Sequence, residues 1–166
     1  MNFEYIKTIL FTKENLTFAL SVIGSVGTAI NFFKSRKNLK LKLHFFGSSS
    51  EKQISLAYVQ FENKSLSPIL ITDVCIIIGN VAYPCQKLPT VVQTASRKIG
   101  QENFYHDIYN LSFPIQIGGI GGTSGYLLFD IPELEIKSLQ FPIILQVATN
   151  RGRSKKYRLY PDRECL

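Results

Sequence analysis

Nineteen consecutive residues without a charge, Asn15 to Phe33, run into Lys34, Arg36, Lys37, Lys40 and Lys42, five cations with no acid among them. At about 1.5 Å per residue, a helix over this run covers close to the roughly 30 Å of bilayer hydrocarbon. The segment therefore reads as a transmembrane helix, 15–33, with a basic juxtamembrane linker, 34–37. Two rivals exist. A cleavable signal peptide would place Gly27-Thr28-Ala29 at the cut, but its front end should be positive, and cations just after the cut disfavour export. A buried helix of a soluble protein is the other. A spanning anchor is favoured over both.

Lys and Arg gather on cytoplasmic flanks, and here they follow the span. The expectation is a single-pass protein with its N-terminus out and the remainder in the cytoplasm. Residues 1–14 read as a short lead in which Phe3, Ile6 and Leu10 share a helical face, suited to lying in the headgroup region or fraying. Within the span, Ser21, Gly24, Ser25 and Thr28 form small-residue faces that permit helix self-association. Such residues are common in spanning helices, so ordinary packing is the simpler account.

Net charge is +7, from 19 Lys and Arg against 12 Asp and Glu. That balance admits lipid, nucleic acid or an acidic partner. Tyr157 and Tyr160 alternate with Lys155, Lys156 and Arg158, but no RNA-binding signature accompanies them, and nucleic acid is disfavoured. Cys75, Cys85 and Cys165 are odd in number and lack metal spacing, which points to free thiols in a reducing compartment. A Cys75–Cys85 bridge across a hairpin stays open.

From Asn38 the hydrophobic period becomes two. Leu39, Leu41, Leu43 and Phe45 alternate with Lys40, Lys42 and His44, and Gly47-Ser-Ser-Ser50 ends that strand. A second strand over 53–63 places Ala57, Val59 and Phe61 opposite Leu56 and Tyr58. A turn, Asn63 to Pro68, leads into a β-branched and central strand, 69–78, and Gly79-Asn80 closes a hairpin into 81–85. Residues 86–110 are hard to read, with an exposed tip at Ser96–Gly100. Pro114 interrupts an edge strand over 111–117, and strands follow over 126–131, 139–149 and 154–160. The fold expected is all-β: an immunoglobulin-like antiparallel β-sandwich of about seven or eight strands, 38–160, with a tail, 161–166.

No catalytic, cofactor or metal constellation emerges. Gly118-Gly-Ile-Gly-Gly-Thr-Ser-Gly125 lacks the lysine and following helix of a phosphate loop and reads as a strand connection. Neither His44 nor His106, the latter placed in a loop, has partners at metal-ligand spacing. Gly122-Thr-Ser-Gly125 misses nucleophile-elbow spacing, and Asp130, Glu133 and Glu135 are too sparse for calcium.

Sandwich topology gives the basic residues a place. The first strand starts at the end that carries the second-to-third loop and the last hairpin. Lys64, Arg151 and Arg153 should therefore stand beside Lys34, Arg36 and Lys37, where they can contact an anionic membrane surface. Solubilising charge on an edge strand is the competing account.

Asn63-Lys-Ser-x-x-Pro-Ile-x-Ile71, Gly121-Gly-Thr-Ser-Gly-Tyr-Leu-Leu-Phe129 and Gln146-Val-Ala-Thr-Asn-Arg-Gly-Arg153, with the N-terminal span, resemble uncharacterised single-span β-sandwich proteins of Gram-positive bacteria and their mobile elements. The resemblance implies a bacterial cell-membrane protein with an immunoglobulin-like domain, and carries no activity. The expected function is a membrane-tethered interaction or scaffold module that meets an unknown protein partner by strand addition. The alternative is an effector whose helix self-associates when the β-domain senses a ligand.

Overall fold

The computed structural model describes residues 13–49, 53–99, 102–132 and 140–162. The chain divides into two compact units, Met1–Arg36 and Lys37–Leu166. Of the expected N-terminal lead, all but the start of the helix lies outside the described residues, as do Cys165, Glu133 and Glu135.

The first unit holds one helix, α1 (Lys13–Ser35), which continues past Phe33 so that Lys34 falls in its last turn, where a cation complements the carbonyl end of the helix dipole. Asn15–Ser35 is long and apolar enough to cross a membrane by length and composition, with mean hydropathy 1.6 and none of it buried. Leu16, Phe18, Leu20 and Ile23 all stand exposed. A helix that is apolar around its circumference belongs in a non-aqueous surrounding.

The second unit is all β. Its described strands are β1 (Leu39–Ser49), β2 (Ile54–Asn63), β3 (Ile69–Ile78), β4 (Val81–Pro84), β5 (Val91–Ile99), β6 (Glu102–Tyr109), β7 (Ile115–Ile117), β8 (Gly121–Asp130), β9 (Ile143–Thr149) and β10 (Lys155–Leu159). One sheet runs β1-β2-β8, and the other runs β10-β9-β3-β4 with β7 also on β3. All these strand pairs are antiparallel.

Alternation builds the core. β2 buries Ser55, Ala57, Val59, Phe61 and Asn63 and turns Ile54, Leu56, Tyr58, Gln60 and Glu62 outward. Ile69, Ile71, Val74, Ile76 and Ile78 of β3 face them within one buried cluster, joined by Leu127 and Phe129 of β8 and Leu145 and Val147 of β9. Each such side chain contributes about 1.5–3 kcal/mol when fully buried. As expected from its β-branched run, β3 is central, with β9 on one side and β4 and β7 on the other.

Several local expectations change. Gly47 to Ser49 do not end β1 but pair with Leu56 to Ile54. A bulge between Leu43 and Phe45 shifts the register, so Phe46, not Phe45, packs against the core. The ring nitrogens of the bulged His44 meet Asp162 Oδ2 at 2.7 Å and Gln60 Oε1 at 2.9 Å. Asp162 N also donates to Leu43 O, so this part of the expected tail is tied to β1. Gly121 to Gly125 belong to strand β8, and the connection itself is only residues 118–120. His106 lies in β6, not a loop.

The largest difference falls in 86–110. There β5 and β6 form a hairpin arm, and among the described residues they pair only with each other. The arm is inserted in a single traverse. β4 leaves β3, Cys85 and Gln86 reach β8, Asn110 and Leu111 touch β8 again, and β7 returns to β3. Asn110, 5 % exposed, closes the neck: its N donates to Thr90 O at 3.0 Å and its Nδ2 to Gln86 O at 3.0 Å, while its Oδ1 accepts from Thr90 N.

Candidate functional site

The start of β1 gathers several cations of the β-unit. Leu39 pairs with Asn63, and Lys64 N donates to Asn38 O at 2.8 Å, which fixes the β2–β3 loop beside Lys37. Lys37 Nζ donates to Arg153 O at 3.2 Å, which brings the β9–β10 turn, with Arg151, to the same place. Lys37 is pushed below the ordinary lysine value, first by partial burial and then by the charge of Lys155. Cations are thus crowded here closely enough to oppose one another. Lys64 is partly offset, since its Nζ lies 3.5 Å from Glu62. Lys34 and Arg36 belong to the helix unit, where Arg36 lies over the rings of Phe32 and Phe33.

A buried polar clamp holds this end. Asn63, 1 % exposed, donates from Nδ2 to Ser67 O and Gly118 O, each at 2.9 Å, and accepts at Oδ1 from Ser65 N at 3.0 Å and Ser65 Oγ at 2.6 Å. Ile120 N donates to Ser65 O. One side chain thereby joins the β2 terminus, the 64–68 loop and the 118–120 turn. The glycine-rich stretch serves close approach: a Cβ on Gly119 would collide with Leu66 O, and one on Gly125 would lie 2.7 Å from the Leu111 side chain. Asn63 sits in a stretch whose turn composition was legible. Its role as a bridge to Gly118 had no sequence signal.

Parts of the β1 and β8 edges are occupied. Asp162 bonds the outer side of β1 and Tyr157 Oη donates to Leu39 O at 3.0 Å, while Gln86 and Leu111 bond to β8. Beside the arm's foot lies a groove of about 390 Å³, floored by Ile54, Leu56 and Leu128 and walled by Val91 and Val92, with Gln86 bonded to Asp130 at one end.

On α1, Ser21, Gly24, Ser25 and Thr28 share one open concave face with Ala29. Thr28 Oγ1 donates to Gly24 O at 2.8 Å within the helix, and among the described residues nothing stands within 4 Å of where a Gly24 Cβ would lie.

Cys75 and Cys85 are free. Cys75 pairs with Pro84, and Cys85 N donates to Val74 O, so neighbouring register positions send the two thiols to opposite faces. Burial pushes the Cys85 thiol up to about 12. Cys75 is raised by burial and then by Asp73, whose carboxylate accepts from it at 3.8 Å. Neither offers an activated thiolate. In the folded protein at pH 8, both are expected to react with iodoacetamide at least tenfold more slowly than after denaturation, read by peptide mass spectrometry. Because the Cys85 shift is upward, its stabilising contribution is complete below the unfolded thiol value near pH 8.5. Above that, stability falls by about 1.4 kcal/mol per pH unit until the folded value is reached.

No family model matches this chain, and no curated protein matches its sequence.

Proposed function

We propose that the chain is a single-span protein of a bacterial cell membrane, N-terminus out, with an immunoglobulin-like β-sandwich on the cytoplasmic side. In this reading the basic end rests against anionic lipid, and the outlying arm meets a protein partner. The observation that carries it is the crowding of Lys37, Lys64, Lys155 and the Arg151–Arg153 turn at the start of β1. Lys37 is joined directly to the basic C-terminal flank of α1, so a helix held in the bilayer tethers this end at its surface. Each cation near an anionic leaflet contributes about 1 kcal/mol before screening.

Flotation of residues 37–166 with vesicles tests the docking. Binding to phosphatidylserine vesicles should exceed binding to neutral phosphatidylcholine, fall with salt, and drop about fivefold for each of Lys37→Gln and Arg153→Gln. Equal binding to both vesicle types removes the docking.

The open concave face of α1 favours a second reading, an effector whose helices associate when the β-unit binds a ligand. Ser21→Leu, Gly24→Leu and Ser25→Leu together should then abolish oligomers on cross-linking in membranes, and leave oligomers unchanged under the first reading.

A further inference from the structure

Beyond its foot, the arm is a two-stranded ribbon whose strands pair, among the described residues, only with each other. A two-stranded ribbon is marginal in water and ordinarily gains stability from a further strand or a packed face. Here Phe104 is 50 % and Tyr105 70 % exposed.

Register assigns its faces, because directly paired residues share a side. Thr94 pairs with Asp107, Ser96 with Tyr105 and Lys98 with Asn103, and these alternate with Ala95 and His106, then Arg97 and Phe104. The 2.7 Å bond from Thr94 Oγ1 to Asp107 Oδ1 shows that the first pair does lie on one side. This face therefore reads, from foot to tip, as an acid, a tyrosine beside a small residue, and a base.

Such an order is complementary to itself. Stacking two copies of the face about a two-fold axis across the strands reverses one relative to the other. Tyr105 then meets Tyr105 at the centre, with Ser96 leaving room beside it. Each Lys98 lies across the Thr94–Asp107 pair of the other copy. Two opposite-charge contacts form, and no like charges on this face are opposed. On the other face the register places the cation Arg97 beside Phe104, next to the Ile99–Glu102 pair at the tip, so its charges stand together at one end rather than on either side of a central residue.

We propose that the arm is a self-association surface, and that the partner of the Thr94–Lys98/Asn103–Asp107 face is the same face of a second copy. The proposal rests on the membrane-tethered reading. One face of a two-stranded ribbon is well below the roughly 800 Å² per partner of a standard stable interface. Confinement by the anchor raises the local concentration enough to populate the pair.

The test is resonance energy transfer between donor- and acceptor-labelled full-length chains reconstituted in vesicles of neutral lipid. Lys98→Asp and Asp107→Lys should each weaken association about tenfold, because each places two like-charge contacts in the pair. The double variant restores the original pairing with its signs exchanged and should recover most of the signal. Absence of transfer in the parent chain overturns the proposal. So does transfer that ignores all three variants, which would assign association to α1, and so does loss in the single variants without recovery in the double. Flotation of the same samples reports the anchor separately. A chain that fails to float refutes the tethered reading, and the same charge-exchange comparison at high concentration in solution then decides the arm.

Discussion

Asn63→Ala is expected to lower the unfolding free energy by about 2–3 kcal/mol, the upper part of the range for a buried polar side chain whose partners lose it. The side chain satisfies two carbonyls, Ser67 O and Gly118 O, and two donors on Ser65. Alanine leaves Ser65 N without its acceptor and severs the link to Gly118 O, while Ser65 Oγ keeps its bond to Ser67 O. Asn63→Asp should be nearly as harmful, since it keeps the acceptor for Ser65 but turns a carboxylate oxygen toward two carbonyl oxygens. Chemical denaturation followed by far-ultraviolet circular dichroism reads the change. A loss below 1 kcal/mol for Asn63→Ala would show that the three segments hold together without the clamp. The same lesion should weaken anionic-vesicle binding, because the 64–68 loop carries Lys64 to the basic end.

The second large effect concerns α1. Leu20→Lys with Ile23→Lys places two charges near the middle of the span. Each costs about 3 kcal/mol in the hydrocarbon on an insertion scale, so together they shift the partition by about four orders of magnitude. Alkaline extraction of membranes should leave the parent chain in the pellet and release the variant. Intact mass supplies the control. A membrane-fractionated chain that has lost its first thirty or so residues would identify α1 as a cleaved signal and overturn the anchor. Release of the uncut parent chain would place the helix against protein rather than lipid.

What could be read in the sequence followed burial. β2 and β3 were legible because one side of each meets the core, which imposes a period of two on Ala57-x-Val59-x-Phe61 and a β-branched run on 69–78. The arm was not legible for the converse reason. Gln93, Thr94, Ser96, Arg97 and Lys98 meet no core on either side, so nothing selects an alternation. The bulge at His44 was equally hidden, because an inserted residue exchanges faces beyond it while leaving composition unchanged. Of the basic residues, Lys64, Arg151 and Arg153 could be placed near Lys37 from topology alone, since antiparallel connection fixes which loops share an end. Lys155, whose charge bears on Lys37, was assigned to the last strand. Asn63 and Asn110 hold together segments far apart in the chain, and a single asparagine carries no mark of the distant carbonyl it will meet.

The neck at Asn110 makes the arm a cassette. Thr90 and Asn110 are bonded to one another at its two feet, and the ladders of β4 and β7 on β3 are complete without anything between them. Closure of the chain is thus set at the feet, and doubling what lies beyond them adds only about 0.6 kcal/mol of entropy. The body is therefore indifferent to the length of what it displays there. Selection, or an engineer, is free to shorten, lengthen or exchange that segment while the sheets beneath keep their register.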